Sequence, residues 1–141
     1  MNILFPVFAL FVLTLFVLLR LAYLRLVAAR EGTISPGYFR LFQGDSEPEP
    51  LAAYSRNYIN LHESPTLFYV ICLLIYMTGL TNLLLVGLAW VYVALRYLHS
   101  WVHLTSNHVL NRFRIFALAS LVLASIWGIT FVQLLSTNPI S

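Results

Sequence analysis

The sequence predicts an all-α membrane protein, a bundle of four transmembrane helices, and three observations support this. First, 60% of the 141 residues are hydrophobic and 9% are charged, whereas a soluble domain carries about 25% charged residues. Second, the apolar residues fall into four long runs, each close to the roughly 20 residues that cross a bilayer. Third, only one of the polar breaks between these runs is long. The chain is therefore predicted to form a single transmembrane domain, residues 1–141.

The first helix is predicted over about residues 2–27. Its apolar stretch precedes its basic residues, and no small-residue cleavage site follows, so the segment differs from a signal peptide. Arg20 and Arg25 lie near its far end, where arginine side chains reach the membrane interface. Residues 30–50 are predicted to form a loop, because breakers recur through the segment: Gly32, Pro36, Gly37, Gly44, Pro48 and Pro50.

The second helix, predicted over about residues 52–79, begins with a polar stripe. Arg56, Asn60 and Glu63 stand at i, i+4 and i+7 and therefore share one helix face. Ionisable groups in a membrane helix are costly and usually mark a site; the alternative is a mutually satisfied cluster that packs helices together. Pro65 follows this stripe and predicts a local kink.

The third and fourth helices are predicted over about residues 83–104 and 111–135. The second half of the third helix is polar on one face, which carries Tyr92, Arg96, His99 and His103. The two histidines stand at i, i+4, as metal ligands often do. No cysteine or second carboxylate completes a recognisable set, so no metal site is predicted.

The arginines predict how the chain is oriented in the membrane. They follow the first apolar run and flank the gap between the third and fourth, so these sides face the cytoplasm and both termini lie on the non-cytoplasmic side. Both polar stripes and Arg112 then gather at one membrane face, which favours a binding site over simple packing. With no basic run or soluble domain, no nucleic-acid partner is expected. With no targeting signal beyond the helices, the expected location is a bacterial inner membrane, the alternative being the endoplasmic reticulum.

The chemistry of these side chains suits a small zwitterionic, peptide-like ligand. The guanidinium groups of Arg56 and Arg96 can each bind a carboxylate. Glu63 can take an ammonium group, and Asn60 can pair with an amide. Arg112 begins the fourth helix, where a helix N-terminus favours an anion and can hold a thiol as its thiolate.

Two motifs resemble the MAPEG family, the membrane-associated proteins in eicosanoid and glutathione metabolism. One is Arg56-x3-Asn60-x2-Glu63, at the start of the second of four helices. The other resembles the pattern of microsomal glutathione transferases and prostaglandin E synthase, and reads Arg96-x2-His99-Ser100-x2-His103-Leu104-Thr105 followed by Asn111-Arg112. Together they cover the chain from about Leu51 to the C-terminus.

The resemblance implies a homotrimer that binds glutathione as co-substrate between neighbouring subunits, near the cytoplasmic face. It implies a transferase or peroxidase in which Arg112 stabilises the glutathione thiolate for attack on, or isomerisation of, a lipophilic electrophile. The implied partners are other copies of the chain, the lipid bilayer and a hydrophobic small molecule. The residues expected to hold glutathione are Arg25, Arg56, Asn60, Glu63, Arg96, His99 and His103.

Two other interpretations remain open. His103 stands where the family commonly has a tyrosine, and Phe116 lacks a hydroxyl that some members carry. These departures are compatible with a non-catalytic protein that binds a lipid or a partner on the same scaffold. The third interpretation is a structural bundle whose arginines only set the topology.

Overall fold

The computed structural model describes residues 2–35, 37–42, 44 and 46–137, and within them the chain is helical without β-strands. Four helices are long and apolar enough to cross a membrane, so the prediction of an all-α, four-span protein is confirmed. They are joined by short turns and by one longer connection that contains a single helical turn. The elements are α1 (Leu4–Arg30), α2 (Tyr38–Leu41), α3 (Glu49–Met77), α4 (Leu83–Leu104) and α5 (Val109–Thr137).

The helix ends differ from the predicted bounds by up to three residues. The largest differences flank the long connection, where α1 continues to Arg30 and α3 begins at Glu49. Pro50 lies in the first turn of α3, where the missing N–H costs nothing because that turn has no intrahelical acceptor for it. It is therefore part of the helix start, although the sequence analysis treated it as a breaker.

The connection between α1 and α3 is more ordered than the predicted loop. It includes the short helix α2, which ends at Phe42 in a left-handed conformation, φ 52°. The ring of Phe42 lies 5.5 Å from the Arg25 guanidinium carbon, so the connection folds back against α1. Of the loop residues named above, Pro36 lies outside the described residues.

Helix α3 continues through Pro65, which is buried. The proline ring has no N–H to donate, so the carbonyl four residues earlier, on Leu61, loses its intrahelical donor. Membrane helices tolerate such a site when neighbouring helices pack against it. The kink predicted from Pro65 therefore does not end the helix.

The four long helices pack around one apolar core. Helix α1 contacts α3 and α4, and α5 contacts both α4 and α3. Phe68 of α3 stacks on Tyr92 of α4 with ring centroids 4.6 Å apart. Cys72 is buried in the same cluster, where a free cysteine packs as a small apolar residue. The opposite helix faces expose large hydrophobic side chains, as expected of surfaces that meet lipid.

The turn between α3 and α4 is held by Asn82. Its side-chain oxygen accepts a hydrogen bond from the Leu85 N–H at 3.0 Å and caps the N-terminus of α4. Its amide nitrogen donates to the Leu80 carbonyl at 3.2 Å and to Oε1 of Gln133 at 3.3 Å. One side chain thus joins the turn to the far end of α5.

Asn82→Ala is expected to lower the free energy of unfolding by about 1 kcal/mol, because the first turn of α4 loses its cap. The melting temperature in detergent should fall by a few degrees. Asn82→Asp is the matched control, because it keeps the capping oxygen and loses only the two donated bonds. Equal melting temperatures for wild type and Asn82→Ala would contradict the capping role.

Candidate functional site

The polar residues at the start of α3 divide between two helix faces. Arg56 and Glu63 are exposed in the single chain, whereas Asn57 is fully buried. Successive helix positions turn by about 100°, so Asn57 and Ser64 point about 100° away from the residues that precede them. Asn60 lies between the two faces. Of the predicted stripe only Asn60 therefore reaches the inner face, and the residues that meet α4 are Asn57, Asn60 and Ser64.

Arg96 joins α4 to this inner face. Its side chain is fully buried, with 0% exposure. One terminal nitrogen donates to the Asn60 carbonyl at 2.8 Å and to its side-chain oxygen at 2.6 Å, and the other donates to Ser64 Oγ at 3.2 Å. The Ser64 hydroxyl also contacts the Tyr92 hydroxyl at 3.3 Å. These neutral oxygens satisfy the terminal nitrogens of the guanidinium group within the subunit.

A second polar pair lies one turn after Arg96 on α4 and about one turn before Asn60 on α3. Ser100 Oγ donates to Asn57 Oδ1 at 3.2 Å, and both residues are buried. Within the described part of the chain the Asn57 amide nitrogen has no hydrogen-bond partner. A buried donor of this kind costs about 1–3 kcal/mol when left unpaired, so this part of the site has an unused donor.

A pocket of about 220 Å³ opens between α3, α4 and the start of α5. Arg112 reaches it from the first turn of α5, and one of its terminal nitrogens donates to Asn107 Oδ1 at 2.7 Å. Its Nε is buried and has no hydrogen-bond partner in the part of the chain that the structure describes. The pocket thus combines one guanidinium group, one amide side chain and one imidazole with an apolar wall. Its lining residues are Asn60, His99, Val109, Arg112, Phe113 and Phe116.

Two buried histidines lie on the α4 side of this pocket, and His99 lines it. His99 and His103 are 3% and 1% exposed, and their ring centroids are 6.0 Å apart. Among the described residues no side chain hydrogen-bonds to a ring nitrogen of His99, and its ring lies 6.2 Å from that of Phe116. Among the described residues no group of three potential ligands gathers around them. Their geometry suits hydrogen bonding to a polar ligand.

The electrostatic character of the site is positive. The Arg56 charge acts on both Arg112 and His103, so arginines from α3 and α5 face the same region. The buried Arg96 adds a third positive charge on α4. Adjacent like charges are unfavourable unless an anion lies between them, and the arrangement therefore favours an anionic ligand.

The structure brings together most of the predicted site residues. Asn60, His99 and Arg112 line one pocket, and Arg96 contacts Asn60 directly. Glu63 lies on the exposed face of α3, and Arg25 lies on α1 against Phe42; neither lines the pocket. The sequence analysis did not single out Asn57 and Ser64. Their spacing of seven residues, one position after Arg56 and Glu63, is the signal that would have identified them.

Comparison with known proteins found one matching family. A family model described as the MAPEG family matches residues 3–132. That range reaches into all four long helices and contains every residue predicted for the site. No curated protein and no solved structure matches the chain.

Proposed function

The chain belongs to the MAPEG family, and from this we propose that it is a glutathione-dependent transferase or peroxidase of the membrane, acting on lipophilic electrophiles. One observation carries the proposal: the pocket in which Arg112 of α5 meets Asn60 and the buried His99. A positive, partly apolar pocket in a membrane protein suits an anionic thiol compound that reacts with an apolar partner. The family's association with glutathione metabolism supports glutathione as that compound.

In the proposed reaction, Arg112 stabilises the thiolate of glutathione. The guanidinium group lies at the N-terminus of α5, where unpaired N–H groups also favour negative charge. Glutathione releases its thiol proton to water, and the thiolate sulfur forms a bond to the electrophilic carbon of a substrate that enters from the membrane. That carbon loses another bond in the same step: either a leaving group such as halide departs with the electron pair, or the π bond of an activated alkene breaks and its electron pair takes a proton from water. Arg56, Glu63 and the polar residues of α4 hold the carboxylates, the ammonium group and the amides of the tripeptide.

The exposure of Arg56 and Glu63 supports a site completed by a second subunit. A single chain leaves these charges at the surface of a membrane helix, where charge is costly. In a homotrimer, which the family resemblance implies, a neighbouring subunit would cover these charges and would bring Arg25 to the same site. The arginine distribution supports both termini on the non-cytoplasmic side, and a bacterial inner membrane stays the expected location.

Calorimetric titration of glutathione into the detergent-purified protein should give saturable binding. Arg56→Ala/Glu63→Gln should lose it, because the ligand loses a carboxylate contact and an ammonium contact. The matched control is Arg30→Ala/Glu31→Gln, which changes an exposed arginine and an exposed glutamate at the end of α1. No binding by the wild type, or equal binding by all three proteins, would overturn the glutathione site.

One feature favours a second candidate, a non-catalytic lipid- or partner-binding protein. Phe116 lines the Arg112 pocket and presents a ring that cannot donate a hydrogen bond to a reacting group. On this candidate glutathione or another ligand binds and raises the melting temperature, but no conjugate forms. Incubation with glutathione and a reactive chlorodinitrobenzene distinguishes the two, because only an enzyme produces the conjugate above the uncatalysed rate.

A further inference from the structure

A separate apolar groove lies between α1 and α4, on the side of α4 away from the Arg112 pocket. Its volume is about 320 Å³, close to the lower end of the range for ligand pockets. Among the described residues, two hydroxyl side chains line it, Tyr97 and Ser100, and both already donate, to the Ala9 carbonyl at 2.8 Å and to Asn57 Oδ1 at 3.2 Å. The lining residues are Val12, Leu13, Phe16, Tyr97, Ser100, Trp101 and Leu104.

The two ends of the groove differ. At one end the hydrogen bond from Tyr97 to Ala9 joins α4 to α1. At the other end stands Trp101, which is 69% exposed, three residues before α4 ends at Leu104. An exposed tryptophan near a helix end is typical of the membrane–water interface. The groove therefore runs from the membrane interior to the interface at which α4 ends.

A positive charge stands where the groove meets the interface. Arg20 lies four residues after Phe16 and seven after Leu13, so all three share one face of α1. The Tyr97–Ala9 hydrogen bond lies at one end of the groove, and Phe16 and Leu104 line it towards the end of α4. Arg20 is about 6 Å beyond Phe16 along the axis of α1 and therefore lies just past the interface end of the groove. It is exposed, with its guanidinium carbon 5.5 Å from the Tyr23 ring centroid.

We propose that this groove binds one acyl chain of an anionic phospholipid, whose phosphate contacts Arg20. The groove extends along about two turns of α4, about 10 Å, and its volume over that length fits a single extended hydrocarbon chain. A helix with its side chains is about 10 Å across and is too wide to enter. A cation at the interface end complements a phosphate, and the satisfied hydroxyls of Tyr97 and Ser100 leave the walls effectively apolar. The site is separate from the proposed glutathione pocket and does not depend on it.

The headgroup part of the proposal is tested by native mass spectrometry of the full chain released from detergent. The protein is supplied with equimolar phosphatidylglycerol and phosphatidylcholine that carry identical acyl chains. The wild type should retain phosphatidylglycerol about fivefold more strongly, the effect of about 1 kcal/mol for one arginine beside an anionic headgroup. Arg20→Gln should lose this preference. Arg114→Gln, which removes an exposed arginine from α5, should keep it.

The groove itself is tested by Val12→Phe, which adds a ring at a half-exposed wall position and should lower retention of both lipids. Val132→Phe is the control, because Val132 is similarly exposed on α5 and does not line the groove. Equal retention of the two headgroups by the wild type, or the same result for Arg20→Gln and Arg114→Gln, would overturn the proposal. A disulfide between subunits carrying Trp101→Cys would also overturn it, because a second copy of the chain would then cover the groove.

Discussion

Replacing Arg112 with alanine is expected to reduce the rate of glutathione conjugation by about 10²–10³-fold, the usual cost of removing one donor that stabilises a developing or reacting anion. Among the described residues Arg112 is the one arginine that lines the pocket, and its Nε has no hydrogen-bond partner among them. Glutathione should still bind, because Arg56, Glu63 and the α4 residues hold the rest of the tripeptide. The loss should therefore appear in kcat, with a much smaller change in Kd.

Two variants separate this chemical role from a structural one. Arg112→Lys keeps a positive charge and should restore part of the rate, although a lysine lacks the planar fork of the guanidinium group. Arg114→Ala removes an exposed arginine from the same helical turn and should leave the rate unchanged. Wild-type turnover by Arg112→Ala, measured beside an unchanged melting temperature, would exclude the assigned role. If the wild type itself binds glutathione without turnover, the non-catalytic candidate replaces the enzyme.

The fold was predictable because membrane helices follow from simple physical constraints. Hydrocarbon forces each apolar run to satisfy its own backbone hydrogen bonds, so four long runs give four helices. The helix bounds differed from the prediction where one residue type is compatible with two structures. Proline disrupts a helix interior but is favoured in a first turn. Which of the two applies to Pro50 depends on where the helix begins. The short helix α2 ends at Phe42, which contacts Arg25 of α1, and such a long-range contact is not visible in local sequence.

The site was predictable in its composition and less so in its geometry. Helical spacing placed Arg56, Asn60 and Glu63 on one face of the helix, but it did not show which side of that face meets α4. The structure turns α3 so that Asn57 and Ser64 face inward and the two charged residues face outward. This rotation follows from packing the apolar residues of α3 against three neighbouring helices, a tertiary effect that spacing alone does not contain.

Arg96 shows the consequence of that rotation most clearly. Sequence analysis assigned it to a ligand carboxylate, a role that stays a prediction, while in the structure its terminal nitrogens bind Asn60 and Ser64. Arg96→Met should therefore lower the free energy of unfolding by about 2 kcal/mol, because the side-chain oxygen of Asn60 loses a charged donor. Part of the loss is offset, since a buried charge no longer has to be desolvated. The melting temperature in detergent measures the net effect.

A double-mutant cycle with Asn60→Ala tests whether the contact itself carries the stability. If Arg96 acts through Asn60, the two substitutions should be non-additive by about 1–2 kcal/mol, as residues in direct contact usually are. Arg96→Gln removes the charge and keeps one donor, so a variant more stable than Arg96→Met would assign the effect to hydrogen bonding. Additive effects and an unchanged melting temperature would contradict this. Arg96 would then be free to turn towards a ligand, and binding of a ligand carboxylate would again be its expected role.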